Sequence, residues 1–177
     1  VCDGHPIVSG HTLIITKRDV ACIGDYTDDE FEEFKKLYSK VNSFLQENYG
    51  KVATFEHGVV GQTVYHSHVH LLPFVGTPEQ IVSEGSNYLT AISDLSDLKA
   101  IYQRDKKYLF FSIAERKWVA DTALGAPRFF RDRFASALGV PERGNWKEMH
   151  VNPETVKQST AMNNHCQELW STAFASK

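Results

Sequence analysis

Between Gly10 and the charged Lys17-Arg18-Asp19, the β-branched run His11–Thr16 predicts a short buried strand. Thr27 followed by Glu30 is a capping-box signature, and Asp28, Asp29, Glu32 and Glu33 load the first turns with acid. Apolar residues then recur at Phe31, Phe34, Leu37, Tyr38, Val41, Phe44 and Leu45, a stripe at helical spacing that reads as core. Gly50 is placed to take the left-handed closing position, so the helix is predicted to stop at Tyr49–Gly50. Lys51–Glu56 reads as a strand, Gly58–Gly61 as a turn, and Thr63–Leu72 as a second strand ended by Pro73. Strand, long helix, strand, strand predicts an α+β layer with a mostly antiparallel sheet.

Beyond Pro73 the pattern changes. A more polar stretch runs from Gly76-Thr77-Pro78 to about Lys107, with a short helix predicted at Pro78–Glu84. Tyr108–Ala114 and Lys117–Ala120 read as a hairpin, Pro127–Leu138 as an amphipathic helix, and Pro153–Ala175 as a terminal helix. The reading is therefore a core at 1–76 and an extension at 77–177 of hairpin and helices, packed on that core. There is no internal repeat or low-complexity tract. The chain opens at Val1 without an initiator Met, which reads as an incomplete N-terminus.

Composition narrows the functional classes. The 177 residues amount to one domain, or a domain with a sizeable extension, long enough to bury a core without staples. Nineteen basic against 22 acidic side chains give −3 and a pI near 6.2, which argues against a general nucleic-acid binder. No apolar run has membrane-span length. Cys2, Cys22 and Cys166 are an odd, scattered set that suits a reducing compartment, cytoplasmic or nuclear.

Three of the eight histidines fall within residues 66–70. On a strand, His66, His68 and His70 share one face, leaving the other to Tyr65, Ser67, Val69 and Leu71. A plain solvent-facing row has no need of three weakly basic rings. A metal site meets a geometric obstacle, because the outer Cα atoms of such a row lie roughly 13 Å apart. Three such rings cannot readily share one tetrahedral ion, and no acid lies within the stretch to complete the site. Phosphoryl chemistry fits better. Neutral imidazole is a nucleophile toward phosphorus, the middle ring is best placed to attack, and crowding of like charge keeps its lone pair free. Gly61-Gln62-Thr63 adds backbone N–H groups, an amide and a hydroxyl for phosphate oxygens.

His66-Ser67-His68-Val69-His70-Leu71-Leu72 resembles the signature of the histidine-triad (HIT) superfamily. Gly61-Gln62-Thr63-Val64-Tyr65 is similar to the phosphate-binding approach of its purine-nucleoside phosphoramidase and dinucleoside-polyphosphate hydrolase branches. Asp3-Gly4-His5-Pro6 and Gly10-His11-Thr12-Leu13-Ile14, with eight positions from Asp3 to His11, resemble the opening of its first conserved strand. The resemblance implies an α+β HIT fold, a homodimer, and hydrolysis of a nucleoside phosphoramidate or dinucleoside polyphosphate through a nucleotidyl-histidine, with no cofactor and no metal. It implies His68 as nucleophile, His70 and Gln62 on the α-phosphate, Thr63 near the leaving group beside Gly61, His66 relaying to His11, and Asp3 on the ribose hydroxyls. His70, where transferase branches tend to carry Gln, favours a hydrolase. Ser67 differs from the family's usual apolar residue, and Glu56-His57-Gly58 has no Asn where one is often found, so His57 or Glu56 would stand in for it. A nucleotide-sensing or RNA-processing binding module without catalysis, and a metal-binding histidine protein, are the rival readings.

Arg128, Arg131 and Arg133 could clamp a phosphate, but a charged helix face explains them more simply. Trp118, Trp146 and Trp170 read as packing residues rather than base-stacking platforms, as do His165 and Cys166.

Overall fold

The structure, a computed structural model, describes residues 1–175. Its sheet has six antiparallel strands: β1 (Thr12–Ile15), β2 (Val52–Gly58), β3 (His68–Pro73), β4 (Leu89–Ile92), β5 (Tyr108–Ile113) and β6 (Arg116–Ala120), in the order β1-β3-β2-β5-β6-β4. The helices are α1 (Asp28–Tyr49), α2 (Pro78–Ile81), α3 (Asp97–Asp105), α4 (Phe129–Ala137), α5 (Trp146–Val151) and α6 (Pro153–Phe174). The α+β reading holds.

Helix α1 begins where the sequence places it. Thr27 Oγ1 accepts from the Glu30 N–H, and the Glu30 carboxylate accepts from the Thr27 N–H. It ends at Gly50, whose φ of 88° is open to glycine at little expense. Its face of Phe31, Phe34, Val41, Phe44 and Leu45 packs on Val52, Val69, Leu71 and Phe110 of the sheet. The other sheet face carries Phe55, Leu72, Leu109 and Phe111 against Ile81 of α2 and Phe129, Phe130 and Phe134 of α4.

Two departures from the sequence reading matter for the site. Residues beyond 76 also extend the sheet, a pairing the sequence reading does not contain: β5 pairs along β2, from Ala53↔Ile113 to Gly58↔Tyr108. And the strand expected from Thr63 starts only at His68. Val59 (φ 79°) and Gly61 (φ 69°) turn the chain after β2, and the end of the segment up to Ser67 is held by long-range bonds outside the sheet ladder. The Ser67 N–H donates to Val20 O at 2.6 Å, and the His66 ring reaches Thr16 O at 2.8 Å. The helix expected at Pro78–Glu84 stops at Ile81. Strand β4 and helix α3 occupy a stretch that sequence left as polar and irregular.

Candidate active site

Strand register places the first groups. Leu13 of β1 and Phe55 of β2 lie opposite His70 of β3, so the His70 ring is enclosed on both sides and stacks on Phe55 with centroids 4.2 Å apart. His68 lies two positions earlier on the same face, its ring edge-on to His70 at 5.1 Å. His11, just before β1, is also buried on this face.

Hydrogen bonds then fix where each proton sits. The Ile7 N–H can only donate, so His11 Nδ1 accepts it at 3.1 Å and the proton of the neutral ring is on Nε2. That Nε2–H donates to His70 Nδ1 at 2.9 Å, which leaves His70 with its own proton on Nε2. His68 is held the other way round. Its Nδ1–H donates to the His66 carbonyl at 2.6 Å, so Nε2 carries a free lone pair. Adjacent rings on one strand face thus offer, by opposite tautomers, a nucleophile and a donor.

Burial keeps these rings neutral. It pushes His11 down to about 4, with Arg131 adding to the effect and Asp3 opposing it. Burial also lowers His70 well below the usual range, helped by the neighbouring rings. His68 is lowered mainly by burial too.

The cleft above these rings has a volume of about 220 Å³ and is lined by residues from both halves of the chain. Asp3, His57, Gln62, His68 and His70 come from the first half, and Arg128, Arg131 and Trp146 from the extension. Gln62 is buried, its Nε2 donating to Ala21 O at 2.8 Å while Oε1 has no partner among the described residues. Thr63 lines the cleft and is exposed. Gly61 is needed twice, for its positive φ and because a Cβ there would lie 2.4 Å from Ala126 O.

The expectation for His66 is corrected. Its ring leaves the row and binds Thr16, 3.5 Å from Asp19, and the ring hydrogen-bonded to His11 is that of His70. The reason is the loop before β3, which ends the face-sharing alternation at His68. The arginines are corrected as well. Arg131 is buried in the site, donating from Nη1 to Asp3 Oδ2 at 2.7 Å and from Nη2 to His5 O at 2.6 Å. Arg128, at φ 63°, lines the cleft, and Arg133 pairs with Glu84 outside it. Trp146 lines the cleft instead of filling the core. Asp3 accordingly has one oxygen on Arg131 and the other on the His5 N–H, at 2.8 Å.

Sequence offers His57 only as a stand-in for a missing Asn. It faces the cleft, and its Nε2 accepts the Phe130 N–H at 3.2 Å, tying β2 to the first turn of α4; burial lowers it to about 4. Glu56 faces the other way, into the α1 side of the sheet.

Asp3, His11 and His70 bring ligand-type atoms within 4.8 Å of one another. Those atoms are already partnered. His11 Nε2 and His70 Nδ1 share a proton with each other, and Asp3 Oδ2 carries a guanidinium, so a cation there would face Arg131 and break the ring-to-ring bond.

A family model described as the HIT domain matches residues 1–75. Among curated proteins, the chain is 33% identical over 72 residues to a bis(5'-adenosyl)-triphosphatase of Dictyostelium discoideum, covering 38% of this chain and 48% of that protein. It is 35% identical over 72 residues to the nitrilase and fragile histidine triad fusion protein NitFhit of Caenorhabditis elegans, covering 38% and 16%. It is likewise 35% identical over 72 residues to an asymmetrical bis(5'-nucleosyl)-tetraphosphatase of Schizosaccharomyces pombe, covering 38% and 40%. The chain spans less than half the length of these relatives. No helix among the described residues is long and apolar enough to cross a membrane.

Proposed function

We propose that this chain, whose residues 1–75 match the HIT-domain family model, is a nucleotide hydrolase acting through a nucleotidyl-His68 intermediate. The observation that carries the reading is the pair of opposed tautomers on β3. His68 Nε2 presents its lone pair to the α-phosphorus while His70 Nε2–H donates to a non-bridging oxygen, so attack and charge stabilisation come from neighbouring positions on one strand. As the P–N bond forms, positive charge develops on the His68 ring. Its Nδ1–H is already aimed at the His66 carbonyl, which accepts that charge without rearrangement. The bond to the leaving group breaks, the leaving group takes a proton from solvent in the open cleft, and water then displaces His68 and gives up a proton to solvent, releasing the nucleoside monophosphate. Gln62 and Thr63 line the path of the phosphate, and Asp3 keeps lone pairs for a sugar hydroxyl beside its ion pair.

The substrate is a nucleoside phosphoramidate or a dinucleoside polyphosphate. Three relatives carry polyphosphatase or histidine-triad names over the matched 72 residues, which supports the class. The resemblance also implies a homodimer, which light scattering checks.

The test is turnover with a chelator present, and quenching during turnover. Full activity in the chelator and an acid-labile, base-stable nucleotide on His68, seen by intact mass, are the expected results. His68→Ala should abolish turnover and still bind nucleotide, and should be far more damaging than His66→Ala, since His66 acts through its backbone carbonyl. Activity that vanishes in the chelator and returns with zinc, or substantial turnover by His68→Ala, refutes the mechanism. Nucleotide binding without turnover by the wild type would instead favour a binding module.

A further inference from the structure

Behind the catalytic strand, on the face away from the cleft, lies a polar cluster that the proposed reaction does not use. Glu56 is fully buried there among apolar neighbours of the α1 core. Its carboxylate accepts from the Ile23 N–H at 3.0 Å, from Ser67 Oγ at 2.9 Å and from the Tyr108 hydroxyl. Ser67 gives its proton to Glu56, so Tyr26 OH donates to Ser67 Oγ, at 2.7 Å. Tyr108 OH in turn accepts the Gly24 N–H at 3.2 Å. With the carboxylate ionised, above about pH 7, every hydroxyl in the cluster therefore has one direction.

Ser67 occupies the position between the two residues that fix the nucleophile. The carbonyl of His66, on one side, holds the Nδ1 proton of His68, on the other. The peptide joining His66 to Ser67 is gripped at both ends: its N–H donates to Val20 O at 2.6 Å and its C=O accepts from His68 at 2.6 Å. This segment is loop, not strand, so no sheet ladder orients that carbonyl. The backbone bond to Val20 holds the peptide from its N–H side, and the buried bond from Ser67 Oγ to Glu56 adds a second anchor one atom group away. An apolar residue at position 67 would fill the space and leave Glu56 short of a donor, at the expense of a buried polar group without its partner.

We propose that Glu56, acting through Ser67, is a positioning residue that aims the His66 carbonyl and so fixes the tautomer of His68. The anchor spans both halves of the chain, because Tyr108 belongs to β5. Its catalytic consequence rests on the hydrolase reading, whereas the tautomer itself does not.

The test measures both. In full-length protein with 15N-labelled imidazoles at mildly alkaline pH, His68 of the wild type should be the Nδ1–H tautomer alone. Ser67→Ala, which removes one hydroxyl, and Glu56→Gln, which turns an acceptor into a donor, should each give a mixture of tautomers. Each should lower kcat by about tenfold with KM little changed, as expected when a reacting group is misaimed. Tyr26→Phe, which leaves the Ser67–Glu56 bond intact, should have a smaller effect on both readings. If Glu56→Gln does not fold, Ser67→Ala carries the test. A folded Ser67→Ala protein with His68 still wholly Nδ1–H overturns the proposal, as does a wild type in which His68 is Nε2–H. A tautomer shift in a protein that hydrolyses no nucleotide would leave the anchor standing and remove the hydrolase reading alone.

Discussion

Arg131 reaches across 128 positions to put a guanidinium on Asp3, beside His11 and His70. Removing it leaves a buried carboxylate next to neutral rings, and breaking such a pair costs about 3–5 kcal/mol. Arg131→Met should therefore lower the urea-unfolding free energy by that order. Its charge also holds the proton affinity of His11, His68 and His70 down, while Asp3 raises it at His11 and His68. Without the arginine these rings protonate more readily, so the acid limb of the kcat/KM profile should move to higher pH. An unchanged limb would place Arg131 outside the electrostatics of the site. The same pair alters the test of Asp3 itself: Asp3→Ala would strand Arg131, so its effect on KM would mix sugar recognition with damage to the fold. A 2'-deoxy substrate asks the sugar question without touching the pair. None of this was legible from sequence. The motif picks out His68, His70, His11, Asp3 and Gln62 because they lie in short patterns, whereas Arg131 has no local signal and its partner is found only by folding.

At the scale of elements, the signals that were read correctly are local ones. Thr27 and Glu30 mark the start of α1, Gly50 its end, and the runs Tyr108–Ala114 and Lys117–Ala120 the hairpin of β5 and β6. The errors come where distant contacts override a local pattern. His-Ser-His-Val-His alternates as a strand should, yet Val20 and Thr16 capture Ser67 and His66 and delay β3 to His68. Strand β4 has no signature in sequence, because its Thr90 and Ala91 are exposed and it carries no buried alternation. The pairing of β5 with β2 has a direct consequence. A fragment ending at residue 76 would expose the β2 edge, and Phe55 would lose its contacts with Phe130 and Phe134. It would also leave Glu56 without Tyr108. Such a fragment should aggregate or show no cooperative unfolding, because an uncovered strand edge with apolar neighbours pairs with other chains. A soluble, cooperatively folded fragment would show the first half to be self-sufficient.

Across the whole molecule, buried imidazoles on one sheet face and a buried carboxyl on the other make stability depend on pH in opposing ways. Burial takes His11 and His57 from 6.5 to about 4, and lowers His70 well below 6.5. Below the unfolded value of 6.5 the unfolded chain takes up protons that the folded rings refuse. Each of the first two rings therefore withdraws stability as pH falls from about 6.5 to about 4, by roughly 3 kcal/mol at 1.36 kcal/mol per unit. Glu56 acts in the other direction. Burial raises it from 4.5 to about 7, so the folded protein binds this proton first, and its contribution is present in acid and lost as pH rises from about 4.5 to about 7. One such group offsets about one histidine, and at least three histidines oppose it. Urea-unfolding free energy should therefore fall on acidification from about pH 6.5 to about pH 4, more steeply in Glu56→Gln, which has no proton to gain, and less steeply in His57→Gln, which has none to refuse. A profile that is flat over this interval, or one that Glu56→Gln makes shallower, would mean that these rings are not held neutral, and the lone pair on His68 would then need another source.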